Sequence, residues 1–359
     1  MAFSSLGGNI ATNAGGLCCA KYGVTRDWVL GLEAVLADGS LLRTGRRTLK
    51  GVAGYDLTSL FVGSEGTLGI ISEATLRLAP RPPLPTTMFA MFADLASAGR
   101  AISAIRAALV PSLLEVMDRA TLTAIEAWRP LGLDAEAAAV LVGQSDAGSA
   151  QGAAEARAMM AFCDAAGATL TTTASGASEA AYFIEIRRMA YPALQRLGNV
   201  LLDDVCVPCA AIPSFLIGVE KIAASTDSRV ATFGHAADGN RHPTVIFDAA
   251  DERSSAGASA AFREVVALAL KLGGTITGEH GVGLLKRGQL SPSPSGPALP
   301  TATILPPLRT GHRAADKDGS SWSSTLPARP CAGWTDVAAV DGRARVGGSP
   351  WWCRRHPGR

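Results

Sequence analysis

The feature that most constrains this chain is a tight reversal centred on Gly239. An Asp-Gly pair between two apolar segments favours a short β-hairpin turn, because glycine readily takes the positive φ that such turns need. The mostly apolar stretch VATF precedes the turn, and the β-branched stretch HPTVIF follows it. The pattern therefore predicts a hairpin with His235 on one arm and His242 on the other, where their side chains can face each other.

A second short segment, GEHG, adds a carboxylate and a third imidazole. Two neutral imidazoles and one carboxylate suit zinc, manganese or iron and leave coordination positions open for a substrate. We therefore predict that His235, His242 and Glu279 bind a divalent metal, and that His280 is free to act as a base. The alternative is that the histidines are ordinary core or surface residues, as single histidines usually are.

Composition sets the class of protein. The 359 residues are 48% hydrophobic, which is enough for two domains with a core, and the net charge of +2 argues against a nucleic-acid partner. No run of about 18 apolar residues indicates a membrane span, and no signal peptide opens the chain. The seven cysteines have irregular spacing and do not form a disulfide pattern. We expect a cytoplasmic protein, or one held peripherally at the inner face of a membrane.

The first 85 residues contain two glycine clusters. GGNIATNAGG (7–16) and the cluster at 63–69 place small residues where a backbone can approach a ligand, and consecutive amides can cradle a pyrophosphate. A glycine cluster alone is more often a set of turns. Between the clusters, Asp38-Gly39 predicts a second hairpin. We expect a loop-rich, strand-rich domain that ends at the prolines before residue 86.

Residues 86–288 alternate between strand and helix patterns. This favours an α+β domain with helices on one face of an antiparallel sheet. A predicted helix at about 178–196 carries Arg187, which could grip an anionic substrate through a bidentate pair. Its plainer roles are solvation and interaction with the helix dipole.

The segment 289–359 is rich in proline and serine and has no apolar period. This composition predicts disorder. The explanation we favour is a shifted reading frame in a GC-rich gene, because the ordered pattern stops abruptly after LLKR.

Five motifs together resemble a known family. They are GGNIATNAGG, KYGVTRDWVLGLEAVLADG, GYDLTSLFVGSEGTLGII, GHAADGNRH and TGEHGVGLLKR, in this order. The chain is similar, over residues 5–288, to the FAD-linked oxidases of the vanillyl-alcohol-oxidase type. The branch it resembles contains D-lactate dehydrogenase, D-2-hydroxyglutarate dehydrogenase and a glycolate oxidase subunit. Residues 1–85 would then be the C-terminal part of an FAD-binding domain, and residues 86–288 the substrate and metal domain.

The resemblance also implies residue roles. It makes His235, His242 and Glu279 metal ligands, His280 the base that takes the hydroxyl proton, and Arg187 the clamp on the substrate carboxylate. It implies that FAD binds to Gly7, Gly8, Asn13, Gly15, Gly16, Gly66, Thr67, Gly69 and Ile70.

The implied reaction is oxidation of a small D-2-hydroxy acid to the 2-oxo acid. Electrons would pass to a quinone, a second flavin protein or an iron–sulfur subunit. Two other hypotheses stay open at this point: a non-catalytic or partner-dependent fragment without stable FAD, and a metal-dependent hydrolase that uses the same ligands.

Overall fold

The computed structural model describes residues 4–48, 50–134 and 136–289. The prediction for the tail falls almost entirely on residues 290–359, which lie outside the described residues. The described part contains two antiparallel sheets, one small and one large, with α-helices between and around their strands.

Helices and strands are numbered separately in chain order over the described residues. The α-helices are α1 (Leu6–Thr12), α2 (Cys19–Tyr22), α3 (Leu57–Phe61), α4 (Leu95–Ala108), α5 (Arg119–Trp128), α6 (Ser149–Ala166), α7 (Ala177–Gln195), α8 (Ile212–Ser225) and α9 (Glu252–Lys271). The strands are β1 (Val29–Val35), β2 (Leu41–Gly45), β3 (Ile70–Leu76), β4 (Thr86–Phe92), β5 (Leu113–Asp118), β6 (Ala139–Ser145), β7 (Ala168–Thr173), β8 (Asn199–Leu202), β9 (Val205–Cys206), β10 (Arg229–His235) and β11 (Asn240–Phe247).

Aspartates begin several of these helices. The side chain of Asp94 accepts the backbone N–H of Ser97 at 2.7 Å, and that of Asp118 accepts the N–H of Thr121 at 2.9 Å. Each carboxylate satisfies an amide that has no partner inside the helix and also lies favourably in the helix dipole. Asp118 is the last residue of β5, so the same residue ends a strand and begins α5.

The large sheet has the order β7-β4-β6-β5-β10-β11-β8, and β9 pairs with β11 beside β8. Every pairing is antiparallel. The predicted antiparallel α+β architecture is confirmed. The strand order places the β10–β11 hairpin next to β5, which decides the neighbours of His235.

Helices cover both faces of the large sheet, so the expectation of helices on one face is wrong. On β4, Met88 and Phe92 belong to a hydrophobic cluster that includes residues of α4, α6, α8 and α9, whereas Phe89 belongs to the cluster of α5 and α7 on the other side. The reason is composition: the first five residues of β5 and of β6 are all buried. A strand that is apolar on both faces needs a covering layer on each.

The small sheet has the order β2-β1-β3. The hairpin predicted at Asp38-Gly39 is confirmed, since β1 and β2 pair from Val35–Leu41 onwards. Leu32 and Ala34 lie on the buried side of this sheet, in one hydrophobic cluster with Phe61 of α3. On its outer side Leu41 and Ile70 are exposed, at 62% and 72%.

Polar contacts join the N-terminal segment to the large sheet. Lys21 and the hydroxyl of Tyr22, both on α2, bond the carboxylate of Asp146, which directly follows β6. The indole N–H of Trp28 donates to the carbonyl of Tyr22 at 2.8 Å, which holds α2 against the start of β1.

Substitutions on α6 test the packing. Met159 is fully buried between α6 and the sheet, so Met159→Ala should lower the free energy of unfolding by about 2–5 kcal/mol. The matched control is Arg157→Ala on the exposed side of the same helix, with an expected change of at most about 0.5 kcal/mol. Urea unfolding measures both, and equal midpoints for the two variants would contradict this packing.

Candidate functional site

The β10–β11 hairpin places two imidazoles side by side. In its register Phe233 pairs with His242 and His235 pairs with Asn240. Because residues two apart on a strand share a face, His235 and His242 are diagonal neighbours on one face. Their Nε2 atoms lie 3.5 Å apart, and both residues are buried.

Gly234 allows the two arms to approach closely. A Cβ at this position would lie 2.6 Å from the carbonyl oxygen of Asn240, closer than real side chains come to a backbone atom. Any larger residue here would push the arms apart and separate the imidazoles.

The GEHG segment brings Glu279 to the same point. Its Oε1 lies 3.2 Å from Nε2 of His235 and 3.4 Å from Nε2 of His242. Ligand atoms about 2.0–2.1 Å from a tetrahedral ion are about 3.3–3.4 Å from one another. The three atoms, with edges of 3.2, 3.4 and 3.5 Å, therefore have the spacing that one such cation requires.

His280 lies at the open side of this triangle. Its ring stacks on that of His242, with centroids 5.0 Å apart, and its Nε2 is 3.5 Å from Oε1 of Glu279. The side chain is 44% exposed, whereas those of His235 and His242 are almost fully buried. His280 can therefore reach a small molecule that enters beside the ligand triangle.

A second combination of ligands is less compact. Asp204, His242, Glu279 and His280 offer atoms that lie within 4.8 Å of one another. Oδ2 of Asp204 already accepts hydrogen bonds from the segment that carries Glu279, which leaves Oδ1 as its one available ligand atom. The His235, His242 and Glu279 set is the better cation site, because its atoms are closer and converge on one point.

Glu115 connects the imidazoles to Arg187. It is fully buried on β5, directly across from His235 in the strand register. One of its oxygens lies 2.6 Å from Nδ1 of His235, and the other accepts from Nε of Arg187 at 2.5 Å. A carboxylate on Nδ1 directs Nε2 towards a metal, as in many histidine metal sites.

Arg187 projects from α7 towards the hairpin. Its guanidinium lies over the ring of Phe233, 4.6 Å from the centroid. In the described part of the chain its Nε is paired with Glu115, which leaves the two terminal amino groups for a ligand. That fork has the geometry that recognises a carboxylate.

The buried charges around the site favour a positive charge between the carboxylates. Burial lowers the pKa of His235, but the neighbouring Glu115 and Glu279 outweigh it and raise the pKa to about 10. Burial, with the charge of His235, lowers the pKa of His242 to about 3. Burial alone would raise the pKa of Glu279, yet its contacts with His235 and His280 hold it below the ordinary value. The contact with Glu279 raises the pKa of His280. The protonated ring of His235 therefore lies between the carboxylates of Glu115 and Glu279.

The flavin candidates form two groups in contact. The expectation that GGNIATNAGG is a loop is wrong for residues 6–12, because they form α1, whose N-terminus Ser5 caps. The second group approaches this helix: the N–H of Gly63 donates to Ile10 and that of Glu65 to Ala11, both at 2.9 Å.

The candidate flavin-binding positions differ in the space around them. A Cβ on Gly7 or Gly66 would meet nothing within 4 Å, so these positions face open space. Asn13 has a positive φ of 50°, and a Cβ on Gly15 would lie 3.0 Å from Oε2 of Glu279. The first group therefore reaches the ligand triangle. Gly8 lies in α1 and Gly16 beside α2, whereas Thr67, Gly69 and Ile70 lead into β3.

The back of the hairpin carries Arg241 and two thiols. Arg241 is fully buried on the face opposite His242, and its Nη1 donates to the carbonyls of His235 and Asn240 at 2.6 and 2.8 Å. The thiols of Cys206 and Cys209 lie against the carbonyls of the turn. Burial raises the pKa of Cys206 to about 11, so this thiol is protonated at neutral pH.

Sequence reasoning missed Glu115 and Asp204. The signal was present: each is an acidic residue inside an apolar run, LLEVMD and LLDDVCVP. Acidic residues are seldom fully buried without a partner, so a carboxylate in such a run indicates a polar contact in the core.

Two family descriptions match the sequence. Residues 81–298 match the C-terminal domain of FAD-linked oxidases, and residues 1–45 match an FAD-binding domain. The chain belongs to the FAD-linked oxidase family.

Two named relatives are similar to this chain over most of its length. Glycolate oxidase subunit GlcD of Bacillus subtilis (strain 168) is 44% identical over 288 residues, which cover 80% of this chain and 61% of that protein. A D-lactate dehydrogenase of Archaeoglobus fulgidus is 33% identical over 291 residues, 80% of this chain and 63% of that protein. The chain thus spans about three fifths of the length of these relatives.

A solved structure shows the same fold. Alkyldihydroxyacetonephosphate synthase superimposes with a TM-score of 0.59 at 18% identity, covering 77% of this chain and 54% of the other. Within the described residues, no helix has the length and hydropathy needed to cross a membrane.

The pKa of His235 leads to a pH dependence of metal binding. Below about pH 10 both ring nitrogens of His235 carry a proton, and the proton on Nε2 must leave when a cation binds there. The ring of His242 is already neutral. Zinc affinity should therefore rise with pH, by about tenfold per unit for one displaced proton. Titrations from about pH 6.5 to 8.5 measure this slope, and an affinity independent of pH would contradict the placement of the cation on His235.

Proposed function

We propose that this chain carries the substrate and metal site of a flavin-dependent dehydrogenase that oxidises a small D-2-hydroxy acid to the 2-oxo acid. The observation that supports this most is the convergence of His235, His242, Glu279 and His280 beside Arg187. A 2-hydroxy acid has a carboxylate and an adjacent hydroxyl, which match a free guanidinium fork and a cation site with a nearby base.

Each side chain has a distinct task in this proposal. Arg187 binds the substrate carboxylate through its two terminal amino groups. His235, His242 and Glu279 hold the cation, and His280 removes the proton of the 2-hydroxyl. When bound, the divalent cation would acidify that hydroxyl and FAD would accept the hydride from the substrate carbon. Zinc, manganese and iron all suit this ligand set.

The small residues in two neighbouring segments fit a flavin, because they leave room for a planar ligand. Hydrogen bonds from Gly63 and Glu65 join the segments of the two groups of candidates, and Gly15 of the first group lies close to Glu279. The first group is Gly7, Gly8, Asn13, Gly15 and Gly16, and the second is Gly66, Thr67, Gly69 and Ile70. Small residues at these positions let a backbone approach a planar ligand closely. A flavin held there would lie next to the hydroxyl carbon of a substrate bound by Arg187.

The names of three relatives support the choice of substrate class. Glycolate and D-lactate fit the printed activities of two relatives, and D-2-hydroxyglutarate fits a third, 37% identical over 297 residues, from Xanthomonas citri. We favour the glycolate or D-lactate type, because Arg187 offers one guanidinium fork, which matches the single carboxylate of such a substrate.

An electron acceptor is required. The Bacillus relative is named as a subunit, which supports an iron–sulfur or second flavin subunit as the partner, with a quinone as the alternative. A cytoplasmic position, free or at the inner face of the membrane, would suit each of these acceptors.

A second candidate is a fragment that binds metal but does not hold FAD. Exposed apolar side chains on the small sheet, Leu41 and Ile70 among them, favour it, since such a face usually packs against further structure. The two candidates differ in colour. A yellow purified protein with flavin absorbance supports the enzyme, whereas a colourless protein that binds zinc supports the fragment.

Replacement of His280 tests the base. In the FAD- and metal-loaded protein, His280→Gln should slow flavin reduction by glycolate or D-lactate by about 10²- to 10⁴-fold, the usual contribution of a general base. Stopped-flow absorbance under anaerobic conditions measures the rate. FAD and metal content should be unchanged. Reduction at the wild-type rate would show that His280 is not the base.

Replacement of Arg187 tests the carboxylate clamp. Arg187→Lys keeps the charge beside Glu115 but loses the fork, so the KM for the hydroxy acid should rise about 10- to 100-fold. The matched control is Arg188→Lys, the exposed neighbour on α7, for which KM should not change. Equal effects of the two variants would rule out a specific contact at Arg187.

A further inference from the structure

Asp204 lies between β8 and β9 and is buried, with 1% of its surface exposed. Its Oδ2 accepts the hydroxyl of Thr277 at 2.8 Å and the backbone amides of Gly278, Glu279 and His280 at 3.0, 2.8 and 2.7 Å. Consecutive amides that converge on one anion form a backbone nest. Here the anion belongs to the protein itself.

The segment 277–280 depends on this contact. It has neither helical nor strand structure, so its amides are not satisfied by regular backbone hydrogen bonds. On its other side it passes close to the hairpin, since a Cβ on Gly278 would lie 2.5 Å from the side-chain oxygen of Asn240. The carboxylate of Asp204 and the hairpin therefore hold the segment between them.

The second oxygen of Asp204 faces His242. Oδ1 lies 3.8 Å from Nδ1 of His242, and both atoms are buried without a hydrogen-bond partner among the described residues. Nε2 of His242 points to the ligand triangle. An imidazole that binds a cation through Nε2 carries its proton on Nδ1, and Asp204 offers the acceptor for that proton.

The backbone at Asp204 is itself fixed. Lys286 donates to the carbonyls of Asp204 and Ile276 at 2.8 and 2.6 Å, and its ammonium pairs with the adjacent Asp203 at 2.6 Å. The lysine thereby ties the chain before the GEHG segment to the chain that carries the two aspartates.

We propose that Asp204 is the positioning residue of the site: one carboxylate oxygen seats the segment that carries Glu279 and His280, and the other orients His242. The seating role stands on the hydrogen bonds alone, whereas the orienting role rests on the proposed function. Two substitutions separate the two roles. Asp204→Asn keeps an oxygen for the amides but turns an amino group towards Nδ1 of His242, and Asp204→Ala removes both contacts.

Hydrogen exchange tests the seating role in the metal-free protein. Asp204→Ala should speed exchange of the amides of Gly278, Glu279 and His280 by about tenfold or more, because three charge-assisted hydrogen bonds are lost. Asp204→Asn should retain most of the protection. The control is Asp146→Asn, a buried acid whose partners are Lys21 and Tyr22 on α2, which should not affect this segment selectively. Unchanged exchange in Asp204→Ala, in a protein with a native circular dichroism spectrum, would overturn the seating role.

Zinc competition with a chelator tests the orienting role. Asp204→Asn should weaken zinc binding by about 10- to 100-fold, the usual effect of losing a contact behind a metal ligand. The control Asp146→Asn should stay within about twofold of the wild type. Wild-type affinity in Asp204→Asn would overturn the role, and so would complete loss of zinc equal to that of His242→Ala, since it would make Asp204 a ligand. If the wild type binds no zinc, the metal site and the orienting role both fail, while the exchange result still decides the seating role.

Discussion

The pairing register between β10 and β11 determines whether this site exists. Side chains alternate between the two faces of a strand, so a shift of one residue would move His242 to the opposite face and bring Arg241 to its place. The Asp-Gly turn and the close approach at Gly234 both specify the observed register. The same register puts His235 opposite Glu115 on β5, so one geometric constraint sets the positions of the imidazoles and of the carboxylate behind them.

The second condition for this site is that the buried carboxylates are balanced by positive charges or hydrogen-bond donors. Glu115, Asp204 and Glu279 bring three carboxylates into a buried region, and each has a positive or hydrogen-bonding partner. Burying an unpaired carboxylate is costly, so these groups stabilise the fold only while their partners are present. Arg187 and the backbone nest supply part of the compensation. The proton on His235, between Glu115 and Glu279, supplies the rest.

The local part of this arrangement could be predicted from the sequence. A hairpin turn and its flanking strands depend on neighbouring residues, and the motif GHAADGNRH contains both. The contacts that organise the site could not be read in the same way, because Glu115 and His235 are 120 residues apart and Asp204 and His280 are 76 apart. Sheet order determines those distances, and strand order is not visible in a pattern of apolar residues. An alternation of strands and helices does not say how many faces are covered, whereas the wholly buried strands β5 and β6 require cover on both. Likewise the glycines of α1 favour a loop, although Ser5 caps the helix.

The central claim is that a cation is bound by two imidazoles and a carboxylate on the front of the hairpin, away from the thiols on its back. X-ray absorption at the zinc edge of the zinc-loaded chain tests this directly. The account predicts a first shell of nitrogen and oxygen at about 2.0–2.1 Å, with the outer-shell scattering of two imidazoles. A sulfur shell at about 2.3 Å would show that thiolates bind the metal and would contradict the claim.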